Sequence, residues 1–177
     1  MILLISFSIN PKSKSYKVIK NAYNYLESIH IDSEFIDMRN HKLPFYDGTD
    51  EVLNDKTIKK LSNIFNNAEK IIIASPIYNY DVNAVLKNFI DLLSVMRYRH
   101  KPNKKQLIGV IGAMGNKKSF TSLFPSLTNL QFSFGLYLVP KIVMCTPEDF
   151  DEKEEINIDL QKRIMELCHT MVNHIIN

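Results

Sequence analysis

Unbroken apolar runs of strand length alternate with segments whose apolar residues recur at helical spacing, and this alternation limits the fold more than any other feature of the chain. Met1–Ser6 (MILLIS), Glu69–Ser75 with its IIIAS run, and Gln106–Ala113 (QLIGVIGA) show no polar face. A strand apolar on both sides must be covered on both sides. Ser33–Met38 (SEFIDM) is short and alternating, and Gly135–Cys145 (GLYLVPKIVMC) is a further extended run. Between them, Lys14–Ser28 carries Val18, Ala22 and Leu26, followed by Ile29. Asp55–Asn67 carries Ile58, Leu61, Ile64 and Phe65. Val82–Met96 carries Val82, Val85, Leu86, Phe89, Ile90, Leu93 and Met96, and Ile156–Ile176 carries Leu160, Ile164, Leu167, Met171 and Ile175. Such spacings gather apolar side chains on one helix face. The order β-α-β-α-β-α-β-α-β-α predicts an α/β fold, a parallel sheet with helices on both faces.

The 177 residues suffice for one domain with a sizeable core. Apolar residues at 45% and charged residues at 23% are an ordinary globular balance, not that of a disordered chain. Two cysteines, Cys145 and Cys168, with no C-x-x-C, make no disulfide framework and suit a reducing cytoplasm. The five histidines lack metal-ligand spacing, so no zinc site is expected. A net charge of +3 is too mild for a nucleic-acid face, and no apolar run approaches the roughly 20 residues of a membrane span. The start, MILLISFSINPK, lacks a basic segment before its apolar run, so it is expected to be a buried strand and not a targeting signal. Met38–Glu51 is an irregular segment of a length often given to function. The acidic stretch Glu148–Glu155 is expected to be a solvated loop whose carboxylates suit the N-terminus of the last helix.

In open parallel sheets a ligand sits beyond the carboxyl ends of the strands, where strand order reverses. The loops to inspect are therefore Phe7–Lys14, Pro76–Asp81 and Gly112–Lys118. The first is rich in hydroxyls (Ser8, Ser13, Ser15) and leads into a helix, which suits one phosphate or an ordinary Ser cap. No G-x-G-x-x-G and no Walker A lysine motif is present. In the second, Pro76 is expected to end its strand. Tyr78, Asn79 and Tyr80 then offer aromatic faces and edge hydrogen bonds, which suit a flat heteroaromatic ring or a plain turn. In the third, Gly112 and Gly115 either admit a ligand close to the backbone or serve a turn that needs positive φ.

Taken together, the loops resemble those of the NAD(P)H-dependent FMN reductases of the flavodoxin-like fold. The most specific match is P-x-Y-N…L-K-N-x-I-D, carried by Pro76, Tyr78, Asn79, Leu86, Lys87, Asn88, Ile90 and Asp91. FSINPKSKSY stands in register with the family's phosphate loop, and Gly112–Gly115 with its glycine-rich turn, so the resemblance covers roughly residues 1–145. It implies a three-layer sandwich on a five-stranded parallel sheet of order 2-1-3-4-5, one FMN-binding domain over residues 1–177, FMN as cofactor, and NADPH or NADH as cosubstrate. Ser8, Ser13, Lys14, Ser15 and Tyr16 would surround the phosphate. Pro76, Ile77, Tyr78 and Asn79 would line the ring, and Gly112, Ala113, Met114 and Gly115 its other edge. The acceptor would be small: free flavin, a quinone, an azo compound or a metal oxyanion. The cofactor would carry the chemistry, with no protein acid–base pair.

The resemblance also implies a homodimer or homotetramer paired through the Val82–Met96 helix. Lys87, Asn88 and Asp91 fall off that helix's apolar stripe, as surface pairs or a subunit contact. Arg97, Arg99, His100 and Lys101 suit either dinucleotide phosphates or a helix C-terminus. Three positions depart from the family. Phe7 replaces a glycine and Asn10 an arginine, which would hold the first loop further from a phosphate or with less charge unless Lys12 or Lys14 compensates. Pro125 requires the fourth helix to start near Phe124 or to break there. Competing readings are a non-enzymatic flavodoxin-like carrier, disfavoured by the +3 charge, and a family member that has lost its flavin. A signalling receiver is disfavoured because Ser6, Phe7 and Ser8 stand where acidic residues would be needed.

Overall fold

The computed structural model describes residues 1–99 and 105–174. In chain order they build β1 (Ile2–Ser6), α1 (Lys14–Ser28), β2 (Ser33–Asp37), α2 (Lys56–Asn67), β3 (Lys70–Tyr78), β4 (Asp81–Val82), α3 (Ala84–Arg99), β5 (Gln106–Ala113), α4 (Phe124–Phe134), β6 (Leu136–Cys145) and α5 (Ile158–Asn173). Five strands pair in parallel in the order β2-β1-β3-β5-β6, and the two-residue β4 pairs antiparallel with the end of β3. Leaving β4 aside, this is the 2-1-3-4-5 order.

Period-two alternation along the central strands explains the two cores. Leu3, Ile5, Phe7, Ile71, Ile73, Ile108 and Val110 face α2, α3 and α4, meeting Ile58, Phe65, Phe89, Leu93 and Leu130. Ile2, Leu4, Ile72, Leu107 and Ile111 face α1 and α5, meeting Val18, Ala22, Leu26, Ile164 and Leu167. Helix starts follow local chemistry. Asp55 accepts from the amides of Thr57 (2.7 Å) and Ile58, and Asn157 from that of Leu160 (2.8 Å). Pro125 lies in the first turn of α4, where its missing N–H has no intrahelical acceptor to lose, so the helix starts at Phe124 unbroken. Gly135 closes that helix at φ +65°.

Two expectations need correction. Pro76 does not end its strand, because β3 runs on to Tyr78. Pairing with β1 stops at Ser6 and Ala74, two residues earlier, so the missing donor orphans no partner in β1. The acidic stretch 148–155 is largely exposed, as expected, but none of its carboxylates caps α5, whose N-cap is Asn157 and whose own first turn holds Asp159. Instead it is tied to cations: Glu148 to Lys117 (3.0 Å), Asp149 to Arg163, and Glu154 to Lys17 (2.6 Å). Lys17 holds the Glu154 carboxyl below the usual carboxylate range. Arg97, Arg99, His100 and Lys101 lie outside the residues whose side chains are described. Among the described residues, no helix is long and apolar enough to cross a membrane, and no three His, Cys, Asp or Glu side chains cluster as a metal site.

Cys145 and Cys168 are free, buried thiols. Burial pushes both pKa values up to about 12, from an ordinary 9.0. Unfolding lets them ionise, so their contribution to stability is intact below pH 9 and is lost as pH rises from 9 toward 12. The urea midpoint of the wild type should therefore fall more steeply between pH 9 and 11 than that of a Cys145→Ala/Cys168→Ala variant. Parallel slopes would show that neither thiol resists ionisation in the native state.

Candidate functional site

The carboxyl ends of β1, β3 and β5 lie side by side, and the loops leaving them form three sides of one surface. The Phe7 amide donates to the Ala74 carbonyl (2.8 Å), so the first loop departs beside β3. Ser75 pairs with Gly112 and Pro76 with Ala113, so the turn after β5 departs on the other side.

The first loop braces itself. Asn10 Oδ1 accepts from the Lys12 amide (2.9 Å), and Ser8 Oγ accepts from the Asn10 amide (3.3 Å). Ser13 caps α1 by accepting from the Tyr16 amide (3.1 Å), and its Oγ lies 2.9 Å from the buried Ser15 Oγ. The earlier first-turn amides, of Lys14 and Ser15, have no intrahelical acceptor by helix geometry. Ser6, the last residue of β1, has a buried Oγ with no hydrogen-bond partner among the described residues. Alternation puts it on the sheet face of Leu4, beneath α1.

Asn10 supplies no cation where the family's arginine would stand. The Lys14 ammonium lies over the Phe150 ring, 5.1 Å from the centroid. Tyr16 carries the Arg39 guanidinium 3.7 Å from its ring centroid, and Arg39 is in turn held by Asp37 (2.6 Å). Phe7 does not crowd the loop. Its side chain is fully buried in the α2–α3 core, with its ring 5.2 Å from that of Phe89.

The second loop is a two-residue hairpin. Asn79 (φ +50°) and Tyr80 (φ +62°) link the paired Tyr78 and Asp81. Positive φ at both positions is the mark of a type I′ turn, whose twist fits the flanking strands. Asn adopts this conformation readily, whereas Tyr80 does so at a cost of about 1–2 kcal/mol. The rings of Tyr78 and Tyr80 are exposed at this edge, while Pro76 and Ile77 are buried. Of the predicted ring-lining set, Tyr78 and Asn79 present side chains outward, and Ile77 belongs to the core.

In the third loop, neither Gly112 nor Gly115 has positive φ, so a turn needing left-handed backbone does not explain them. A Cβ at Gly112 would lie 2.6 Å from Met144 Sδ and 2.9 Å from Leu123 Cδ1, so Gly112 makes room for β6 and the α4 approach. A Cβ at Gly115 would meet nothing within 4 Å, so that side of the surface is open. Ala113 is half-buried, and Met114 is buried with its amide bonded to the Cys145 carbonyl (2.9 Å).

Sequence reasoning missed the residue that joins the first loop to the end of β3. Asn83 is buried between them. Its Nδ2 donates to the Phe7 carbonyl (2.7 Å), and its Oδ1 accepts from the Leu86 amide (3.1 Å) and lies 3.2 Å from Ser75 Oγ. The available signal was an Asn directly before a helical pattern, the usual mark of a cap. Lys87 and Asp91 form an exposed i,i+4 pair (2.6 Å). Asn88 instead reaches the 41–50 loop, donating to the Pro44 carbonyl (2.8 Å) and accepting from the Tyr46 amide (2.9 Å).

The sequence profile of the NADPH-dependent FMN reductases matches residues 1–150. The chain belongs to this family. It is 22% identical over 144 residues to an NAD(P)H-dependent FAD/FMN reductase of Geobacillus thermodenitrificans, spanning 81% of this chain and 75% of that one. It is 28% identical over 100 residues to an NADPH azoreductase of Bacillus sp., spanning 56% and 55%. Among solved structures, FerB, a flavoenzyme NAD(P)H:(acceptor) oxidoreductase from Paracoccus denitrificans, superposes with a TM-score of 0.73 at 17% identity, covering 98% of this chain and 97% of that one. At that identity the likeness is one of fold, and this FMN reductase family member shares the flavodoxin-like architecture.

Proposed function

We propose that this chain is an FMN-dependent NAD(P)H oxidoreductase, one flavin-binding domain over residues 1–177, that delivers electrons to a small-molecule acceptor such as free flavin, a quinone, an azo compound or a metal oxyanion. The observation that carries this reading is the meeting of three chemically different loops at the carboxyl ends of the central strands: hydroxyls and helix amides on the first, aromatic rings on the second, open backbone at Gly115 on the third. When bound, FMN supplies two-electron redox chemistry between a nicotinamide and the acceptor.

The residues present fit that group. The Ser8, Ser13 and Ser15 hydroxyls, with the first-turn amides of α1, suit a phosphate dianion, and Ser6 Oγ, at the end of the same strand, is buried with no hydrogen-bond partner among the described residues. Tyr16, stacked against Arg39, borders the same turn. Tyr78 offers an exposed aromatic face, and the Asn79 backbone, fixed in its turn, would supply an edge hydrogen bond to a bound ring. The backbone at Gly115 leaves space for the opposite edge. We further propose a cytoplasmic location, suited to two unpaired thiols, and a homodimer or homotetramer.

The test is a visible-absorption titration with FMN and with riboflavin, followed by anaerobic NADPH and then NADH. FMN should bind at least about tenfold more tightly than riboflavin, because the phosphate site holds only the former, and the flavin absorbance should bleach with one of the nucleotides. Equal binding of both flavins would contradict the phosphate assignment, and no bleaching would contradict the reductase reading.

A further inference from the structure

The segment between β6 and α5 reaches across to the start of α1. Phe150 bridges antiparallel to Ile156, and Asp151 closes the turn between them, its Oδ1 accepting from the amides of Lys153 (2.9 Å) and Glu155 (2.8 Å). In that turn Glu154 stands at φ +60°. Left-handed backbone favours Gly or Asn, so a glutamate held there is an outlier that points to a use for its side chain.

That side chain meets the lysines of α1. Glu154 Oε2 accepts from Lys17 Nζ (2.6 Å), and the same ammonium donates to the Glu154 carbonyl (3.1 Å). Lys14, three residues earlier and so on the same helix face, lies over Phe150 of the same turn. Lys17 lowers the Glu154 carboxyl pKa most, and the fields of Lys14 and Lys12 act in the same direction. The carboxylate therefore sits among the cations that flank the Ser13 cap, where Asn10 supplies no charge. Glu148, on the same segment, pairs instead with Lys117 beyond the third loop (3.0 Å).

An anion fixed among cations reduces the potential they present to another anion. We propose that Glu154 is a built-in counter-anion for Lys12, Lys14 and Lys17, and that it sets the affinity of the first loop for a phosphate group below what those lysines alone would give. That this phosphate is the flavin's rests on the reductase reading above. The consequence is a site that separates FMN from riboflavin less sharply than its hydroxyls and lysines would allow.

The test is a titration of FMN and riboflavin, read by quenching of flavin fluorescence, into the wild type, Glu154→Gln and Glu148→Gln at neutral pH. The Glu154–Lys17 pair is largely solvent-exposed, so Glu154→Gln should leave the urea midpoint nearly unchanged. In about 20 mM salt it should bind FMN about three- to fivefold more tightly than the wild type, with riboflavin unaffected. The gain should vanish in about 1 M salt, where the Debye length is about 3 Å. Glu148→Gln removes the same charge from the same segment but away from α1, and should gain less than half as much. Unchanged or weaker FMN in Glu154→Gln, an equal gain for riboflavin, an equal gain in Glu148→Gln, or a gain that survives high salt would each overturn the proposal. If the wild type does not prefer FMN to riboflavin, the phosphate assignment fails by itself. Inorganic phosphate, followed by the broadening of its phosphorus NMR line, then decides the role of Glu154: stronger broadening by Glu154→Gln than by the wild type supports it, and equal broadening overturns it.

Discussion

Replacing Phe7 with Ala should lower the unfolding free energy by about 3–5 kcal/mol, read as a large drop in the urea midpoint. The ring is fully buried and packs on Phe89, which packs on Phe65 at 5.7 Å. A small void of about 10 Å³ already lies against Phe7, Phe65, Ile73, Leu86 and Phe89. Truncation would enlarge it where sheet and helices are least able to collapse, so transfer and cavity costs add. Phe7→Gly, which restores the residue common in the family, should cost at least as much, because backbone entropy adds about 1 kcal/mol. It should not tighten FMN, since the ring it removes points into the core and not toward the first loop. A loss under about 1 kcal/mol, or tighter FMN with Gly, would place the ring over the loop.

This position shows how far the sequence could be read. Local patterns were legible. The bounds of α1 and β5 match the predicted ranges, because continuous apolar runs and helical spacing are set by nearest neighbours. The positions of the three loops followed from that order. Side-chain direction was less legible, because it depends on contacts far along the chain. Phe7 suggested a crowded phosphate loop but lies in the core. Ile77 suggested a ring-lining residue and is core too. The Lys14 ammonium covers Phe150, a neighbour 136 residues along the chain. Gly112 left a ligand approach and a positive-φ turn both open; its φ is not positive, and its closest demand comes from Met144, a neighbour only once β6 has paired. The 41–50 loop appeared irregular because what orders it, Asn88, lies about forty residues away.

Asn83 shows the same dependence on distant neighbours, and its replacement should be strongly damaging. Asn83→Leu keeps the volume and removes every side-chain hydrogen bond. The Phe7 carbonyl loses a 2.7 Å donor 76 residues away, and the Leu86 amide loses its cap. Each buried group left unpaired costs about 1–3 kcal/mol, and the lost cap about 1 kcal/mol. Because the three contacts form one network, the costs do not simply add, and a total of about 4 kcal/mol is expected. That is a large share of the 5–15 kcal/mol typical of a native domain, so the variant is expected to populate unfolded chain near physiological temperature. Asn83→Asp separates cap from tie. It retains an acceptor for the Leu86 amide but loses the donor to Phe7 and sets a carboxylate against that carbonyl. A loss of about 2 kcal/mol is expected, with FMN affinity falling in the fraction that stays folded, because the first loop is no longer tied to the hairpin. If Asn83→Leu cost less than about 1 kcal/mol and Asn83→Asp bound FMN as the wild type does, the loops would be positioned by sheet pairing alone, and Asn83 would be only a helix cap.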